Sequence, residues 1–192
     1  MEITMYIDTS YKYLAVGLSK DNKLVYKKQY IAFKKQSEYA ALEIKECLDK
    51  TNTKASELTR IVVCNGPGSY TGIRIGLTLA KVMAASLNIE LVTLSSLIIL
   101  SGLKENVMPL IDARSNRAYV AIYNKGEIIK EETVLELEEI KLIKDKYELV
   151  GDSHLLNVIS EEVDLIENMF LLSRGKESVD VTTAKAIYLK EY

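Results

Sequence analysis

Ile61-Val62-Val63-Cys64-Asn65-Gly66-Pro67-Gly68-Ser69-Tyr70-Thr71-Gly72-Ile73-Arg74-Ile75-Gly76 carries a strand, a turn and a helix start in one run. The β-branched apolar opening is the pattern of a buried strand. Gly66-Pro67-Gly68 interrupts any helix or ladder, because proline lacks an N–H and its ring fixes φ. An apolar segment from Gly72 to Leu87 follows, with Ser69 or Thr71 placed to cap a helix. Strand, glycine turn, helix is the form of an anion-binding turn, since a helix N-terminus offers free N–H groups and partial positive charge. The spacing departs from both common phosphate loops. No Lys follows a glycine in the loop, and Gly66, Gly68 and Gly72 are spaced Gly-x-Gly-x-x-x-Gly. Neither a P-loop ATPase nor a dinucleotide enzyme fits that spacing.

The helix itself is unusual. Gly72, Gly76, Ala80 and Ala84 recur every fourth residue and form a smooth face. Ile73, Ile75, Leu77, Leu79, Val82, Met83 and Leu87 surround it, with Arg74 and Lys81 as its charges. A helix apolar on nearly all sides must be covered on nearly all sides. The small face can lie on the chain's own sheet or join a helix–helix contact, and the opposite apolar face calls for a partner helix.

Composition sets the outer bounds. A chain of 192 residues makes one large or two small domains, and 48% hydrophobic with 27% charged residues is ordinary for a soluble globular protein. No run approaches the roughly 20 apolar residues of a membrane span, and Met1-Glu2-Ile3-Thr4 has no signal-peptide character. Cys47 and Cys64 both sit in core patterns, which implies a cytosolic home. A net charge of −2 argues against a stand-alone nucleic-acid binder. With a single histidine, His154, and no Cys-x-x-Cys, no metal site is expected, and His154 reads as the first turn of a short helix.

Taken in order, residues 3–8 read as a strand closing on Asp8-Thr9-Ser10. Tyr13 to Ser19 and Leu24 to Ile31 complete an antiparallel meander, and Ser37 is placed to cap a helix with Ala40, Ile44, Cys47 and Leu48 as its buried stripe. After the central run and a strand at Glu90 to Thr93, the pattern repeats. Strands are expected at Val107 to Ile111, Arg117 to Tyr123 and Glu127 to Thr133, then a short helix at Glu136 to Ile143 and a strand at Tyr147 to Val150 before Gly151-Asp152-Ser153. The remainder, Ile166 to Tyr192, is poorly patterned, with a last helix expected around Thr183 to Tyr188. Both halves read β-β-β-α-β-α, which divides the chain into an N-terminal lobe, 1–103, and an abbreviated C-terminal lobe, 104–192.

Two such halves facing each other resemble the two-lobed, actin-like ATPase fold, an α/β architecture with ribonuclease H-like lobes and a mixed sheet in each. That resemblance implies a nucleotide or phosphate site, here vestigial, at Asp8, Thr9, Ser10, Gly66, Pro67, Gly68 and Asp112. Asp8-Thr9-Ser10 is equally a strand-end turn with its hydroxyls bonded to nearby backbone.

Ile7-Asp8-Thr9-Ser10, the Gly66–Gly76 undecapeptide, and Ile111-Asp112-Ala113-Arg114 followed by Tyr119 together resemble the TsaB (YeaZ) family over residues 1 to about 160. The resemblance implies a cytoplasmic, non-catalytic subunit in making threonylcarbamoyladenosine in tRNA. It implies pairing with a catalytic paralogue of the TsaD type, joined by a TsaE-type P-loop ATPase, a homodimer when alone, and tRNA contact only through the complex. This subunit then needs no cofactor, with ATP or ADP placed at the complex interface. The expected contact surface is Ser37, Ala41 and Leu48 on the first helix with Ser69, Tyr70, Thr71, Gly72, Arg74, Ile75, Gly76 and Leu79 on the second. The catalytic paralogue holds its metal with histidines on its first helix, whereas Lys35-Gln36-Ser37-Glu38-Tyr39-Ala40 has none. A small-molecule kinase of the same fold is the alternative, and a metallopeptidase is the weakest reading. Arg74, at a helix N-terminus, is expected to have a carboxylate partner.

Overall fold

Alternation along β1 (Ile3–Asp8) sets the layers of the molecule. Ile3, Met5 and Ile7 point to one face of the sheet and pack under two helices, α1 (Gln36–Lys50) and α2 (Tyr70–Leu87). Tyr6 points to the other face, into a core shared with the second half of the chain. The computed structural model describes residues 1–32 and 35–189. Any part of the expected tail beyond 189 lies outside the described residues.

The first sheet has the order β3-β2-β1-β4-β5, with β2 at Tyr13–Lys20, β3 at Lys23–Ile31, β4 at Arg60–Cys64 and β5 at Glu90–Leu94. β1 pairs antiparallel with β2 and parallel with β4, so the sheet is mixed. The second sheet, β8-β7-β6-β9, is also mixed and uses β6 (Val107–Arg114), β7 (Arg117–Asn124), β8 (Glu127–Glu136) and β9 (Glu148–Gly151). A short helix, α4 (Leu137–Lys141), covers its outer face through Ile140. The mixed sheet in each half and the actin-like, ribonuclease H-like fold are as the repeat indicates, while the second half has a 3-10 turn directly after its last strand where the first half has α2.

The layer between the sheets holds two helices absent from the sequence expectations, α3 (Ser96–Ser101) and α5 (Leu165–Leu172). Leu97, Ile99 and Leu100 of α3 and Leu165, Ile166, Met169 and Phe170 of α5 join Tyr6, Val62 and Val92 from one sheet to Ile111, Ala121 and Val150 from the other. Each large apolar side chain there contributes about 1.5–3 kcal/mol by leaving water.

Three local expectations are corrected. α1 starts at Gln36 with Lys35 at its N-cap and no side-chain cap, so Ser37 does not cap it. The helix near His154 is a single 3-10 turn, Ser153–Leu156, stopped by Asn157 at φ 57°. No helix forms at 183–188. That segment is drawn out along the first sheet instead, with Lys81 Nζ donating to Ala184 O at 3.0 Å and Ile187 N to Asn65 O at 2.8 Å. The small face of α2 turns inward: Gly72, Gly76, Ala80 and Ala84 are buried on the sheet. No helix of the described residues is long and apolar enough to cross a membrane.

Candidate functional site

The loops after β1 and β4 meet at the head of the first sheet, as the parallel pairing of those strands requires. Asp8, at the end of β1, is buried, and its Oδ1 accepts from Ser10 N at 2.8 Å and Ser10 Oγ at 2.7 Å. Cys64 Sγ donates to Ser10 Oγ at 3.0 Å. Ser69 N donates to Ser10 O at 2.7 Å, and Thr9 Oγ1 donates to Gly72 O at 2.6 Å. Ser69 caps α2 by accepting from Gly72 N at 3.2 Å. On the far side of the glycine turn, Ser96 donates through N to Gly66 O and through Oγ to Pro67 O. Gly68 lies so close to Ser10 O that a Cβ would collide with it.

The sequence therefore brings Asp8, Thr9, Ser10, Gly66, Pro67 and Gly68 together, but their polar groups serve each other. Two N–H groups at the head of α2, those of Ser69 and Gly72, are directed at Ser10 O and Ser69 Oγ. Asn65 Oδ1 is buried here without a hydrogen-bond partner, and an open acceptor attracts donors, not phosphate oxygens. Burial pushes the Asp8 carboxyl above its ordinary range, against the opposing bonds from Ser10 and Cys64. The same burial, with Asp8 beside it, raises the Cys64 thiol.

Asp112 belongs to a second cluster that joins the lobes. Tyr11, in the turn after β1, donates its hydroxyl to Asp152 Oδ1, and Asp112 N donates to Asp152 Oδ2 at 2.9 Å. Lys12 Nζ stands 3.5 Å from Asp152 Oδ1. Asp112 itself pairs with exposed Arg114 at 2.9 Å. Burial and the Asp152 carboxylate push the Tyr11 phenol far up, so it stays a donor. Gln36, at the start of α1, is buried and donates from Nε2 to Tyr11 O at 3.1 Å. Tyr11 and Asp152 were not singled out from the sequence. Their only signal is position: a tyrosine directly after Asp8-Thr9-Ser10 and an acid inside Gly151-Asp152-Ser153.

The outward faces of α1 and α2 form a separate surface. Ser37, Ala41, Ser69, Tyr70, Thr71 and Arg74 are exposed there, and Leu48, Ile75 and Leu79 are half-buried. Exposed Leu42 and Val82 widen the apolar stripe. Gly72 and Gly76 must be struck from this surface, because Thr9 occupies the space beside both. The expected carboxylate partner of Arg74 is replaced within the chain by Tyr70, whose hydroxyl accepts from Nη1 and whose ring lies 5.1 Å away. Among the described residues no group of three or more His, Cys, Asp or Glu could hold a metal ion.

The family model described as TsaD, tRNA N6-adenosine threonylcarbamoyltransferase, matches residues 29–177. The tRNA threonylcarbamoyladenosine biosynthesis protein TsaB of Bacillus subtilis (strain 168) is 31% identical over 151 residues, covering 73% of this chain and 65% of its own length. TsaB of Buchnera aphidicola subsp. Acyrthosiphon pisum is 31% identical over 177 residues, covering 85% and 79%. The chain belongs to the TsaB family. It spans about two thirds of the first of these TsaB relatives and more of the second. Among solved structures, YeaZ from Pseudomonas aeruginosa superposes with a TM-score of 0.78 at 22% identity, over 98% of this chain and all of that one. At that identity the match establishes the TsaB-type fold alone.

Proposed function

We propose that this protein is a non-catalytic partner subunit in the biosynthesis of threonylcarbamoyladenosine in tRNA, acting by docking a catalytic paralogue of the TsaD type. The observation that carries this reading is the solvent-facing apolar stripe of α1 and α2 on a chain whose glycine turn is closed by its own side chains. A paralogue with the same fold presents the same two helices, so helix pair can pack on helix pair. The family model described as TsaD matches most of this chain, which supports such a relationship. In this reading the complex works in the cytoplasm, and a second copy of the chain covers the stripe when the paralogue is absent. A TsaE-type ATPase joins the complex, ATP is handled at the complex interface, and tRNA is held by the assembly and not by this acidic subunit alone.

Nucleoside mass spectrometry of total tRNA from cells depleted of the protein tests the reading. Loss of threonylcarbamoyladenosine, restored by the wild-type chain, is expected. An unchanged level would overturn it.

A further inference from the structure

At the pole of the first sheet opposite the glycine turn, a cavity of about 400 Å³ opens between the start of β1, the start of β4 and the C-terminal end of α5. Its lining is chemically distinct from the rest of the interlobe layer. Arg60 and Arg174 bring two guanidinium groups to it, and Glu2 brings the one carboxylate among its lining residues. Tyr6, Ser19 and Ser173 bring buried hydroxyls. Tyr6 lies on the inner face because β1 alternates, placing Thr4 and Tyr6 opposite Met5 and Ile7; Ser19 comes from β2, its hydroxyl 2.9 Å from that of Tyr6, and Ser173 from the end of α5. Hydroxyl protons can rotate toward an incoming acceptor.

Arg60 is held but not saturated. Its Nη2 donates to Lys176 O, Nη1 lies 3.9 Å from Glu2 Oε1, and Nε lies 3.4 Å from Glu90 Oε2. Nε is nonetheless buried without a hydrogen-bond acceptor. A buried donor atom without an acceptor is costly unless one completes it. Arg174 is exposed and packs over the Phe170 ring at 4.4 Å, which fixes the stem of a charge at the cavity wall. Among the lining residues two guanidiniums and several hydroxyls stand against a single carboxylate, Glu2, while Glu90 approaches Arg60 from outside the lining, so the cavity is rich in donors. Guanidinium groups match planar or tetrahedral oxyanions better than any other side chain does.

We infer that this cavity binds a small organic oxyanion, a phosphate monoester or a carboxylate, at a site remote from the docking helices. The Arg60 and Arg174 guanidiniums would read its charge, and the Tyr6, Ser19 and Ser173 hydroxyls its remaining oxygens. The volume suits a metabolite-sized ligand and excludes a polymer.

Backbone-amide NMR titration of the full chain tests this, with glycerol phosphate, succinate and uncharged glycerol as separate probes up to about 10 mM, which covers millimolar affinity. A saturable response centred on Thr4, Ser19, Arg60 and Ser173 to Gly175 is expected from one of the two anions, and which one responds decides between phosphate and carboxylate. Arg174→Ala, at an exposed position, should weaken that binding by about 10-fold or more. Arg60→Lys, which keeps the charge but loses the fork, should weaken it as well. No saturable response to either anion, an equal response to glycerol, or binding indifferent to Arg174→Ala would overturn the assignment. The tRNA modification assay reads a different surface, so failure here leaves that reading intact.

Discussion

Thr9 Oγ1 donates to the Gly72 carbonyl at 2.6 Å, and the contact leaves no room for a side chain on the adjoining face of α2. A Cβ on Gly76 would stand 2.5 Å from Thr9 Oγ1, and one on Gly72 would strike the Thr9 carbonyl. The small residues thus let a helix settle onto the end of β1. Gly76→Val should destabilise the fold by about 1–3 kcal/mol through overpacking. Thermal melting measures this. A variant as stable as wild type would return the small face to the list of candidate partner contacts.

Tyr11 and Asp152 tie the two lobes by one buried hydrogen bond. Tyr11→Phe keeps the ring and removes the donor, leaving Asp152 Oδ1 to Lys12 at 3.5 Å. The expected loss is about 1–3 kcal/mol, the cost of a buried charged acceptor left short of a partner. Urea denaturation should show a lower midpoint with an unchanged slope. An unchanged midpoint would mean that water replaces the phenol without cost and that the bond is incidental.

How much of this was legible depended on whether a residue's role was local. The Ser69 cap, the turn at Gly66 to Gly68 and the alternation of β1 are properties of neighbours along the chain, and each reads directly. α3, sequence Ser96-Leu97-Ile98-Ile99-Leu100-Ser101, was missed because packing on most of its sides removes the polar face that gives a helix its period. α5 did carry a signal: Asp164 accepts from Glu167 N at 3.0 Å, and an Asp three residues before a Glu ahead of an apolar run is a helix start. The tail at 183–188 is held by distant partners such as Lys81 and Asn65, which no local pattern encodes. In the candidate site, Asp8 and the glycine turn were visible as chemistry. That they satisfy each other, and that Tyr11 and Asp152 join the lobes, are tertiary facts.

Asp8 gives a pH dependence of definite sign. Burial holds its carboxyl above the ordinary value of 3.8, so the folded state keeps the proton more tightly than the unfolded state. Below 3.8 the group is protonated in both states and the stability it contributes is fully present. As pH rises through the folded-state value that contribution is lost. Asp8→Asn retains an Oδ1 acceptor for Ser10 and cannot ionise. Urea denaturation of both proteins from acidic to neutral pH should show wild type losing ground to the variant as pH rises. A difference that is flat across this range, or of opposite slope, would contradict the assignment of Asp8 as a buried acid.

The docking stripe gives the remaining prediction. Leu42 on α1 and Val82 on α2 are each 59% exposed, so neither supports the core, and a charge at either position stays solvated in the free subunit. In an interface of about 800 Å² per partner, that charge would be buried against an apolar helix with nothing to pair it. Leu42→Glu and Val82→Glu should therefore melt close to wild type yet weaken self-association and pairing with the paralogue by about 30-fold or more, the scale of a lost hot spot. Sedimentation of the free chain and co-purification with the paralogue separate the two contacts. If both variants pair normally, the apolar stripe is not the docking face, and the surface around Tyr70, Arg74 and Tyr188, whose tyrosine rings lie 5.4 Å apart, becomes the next to mutate.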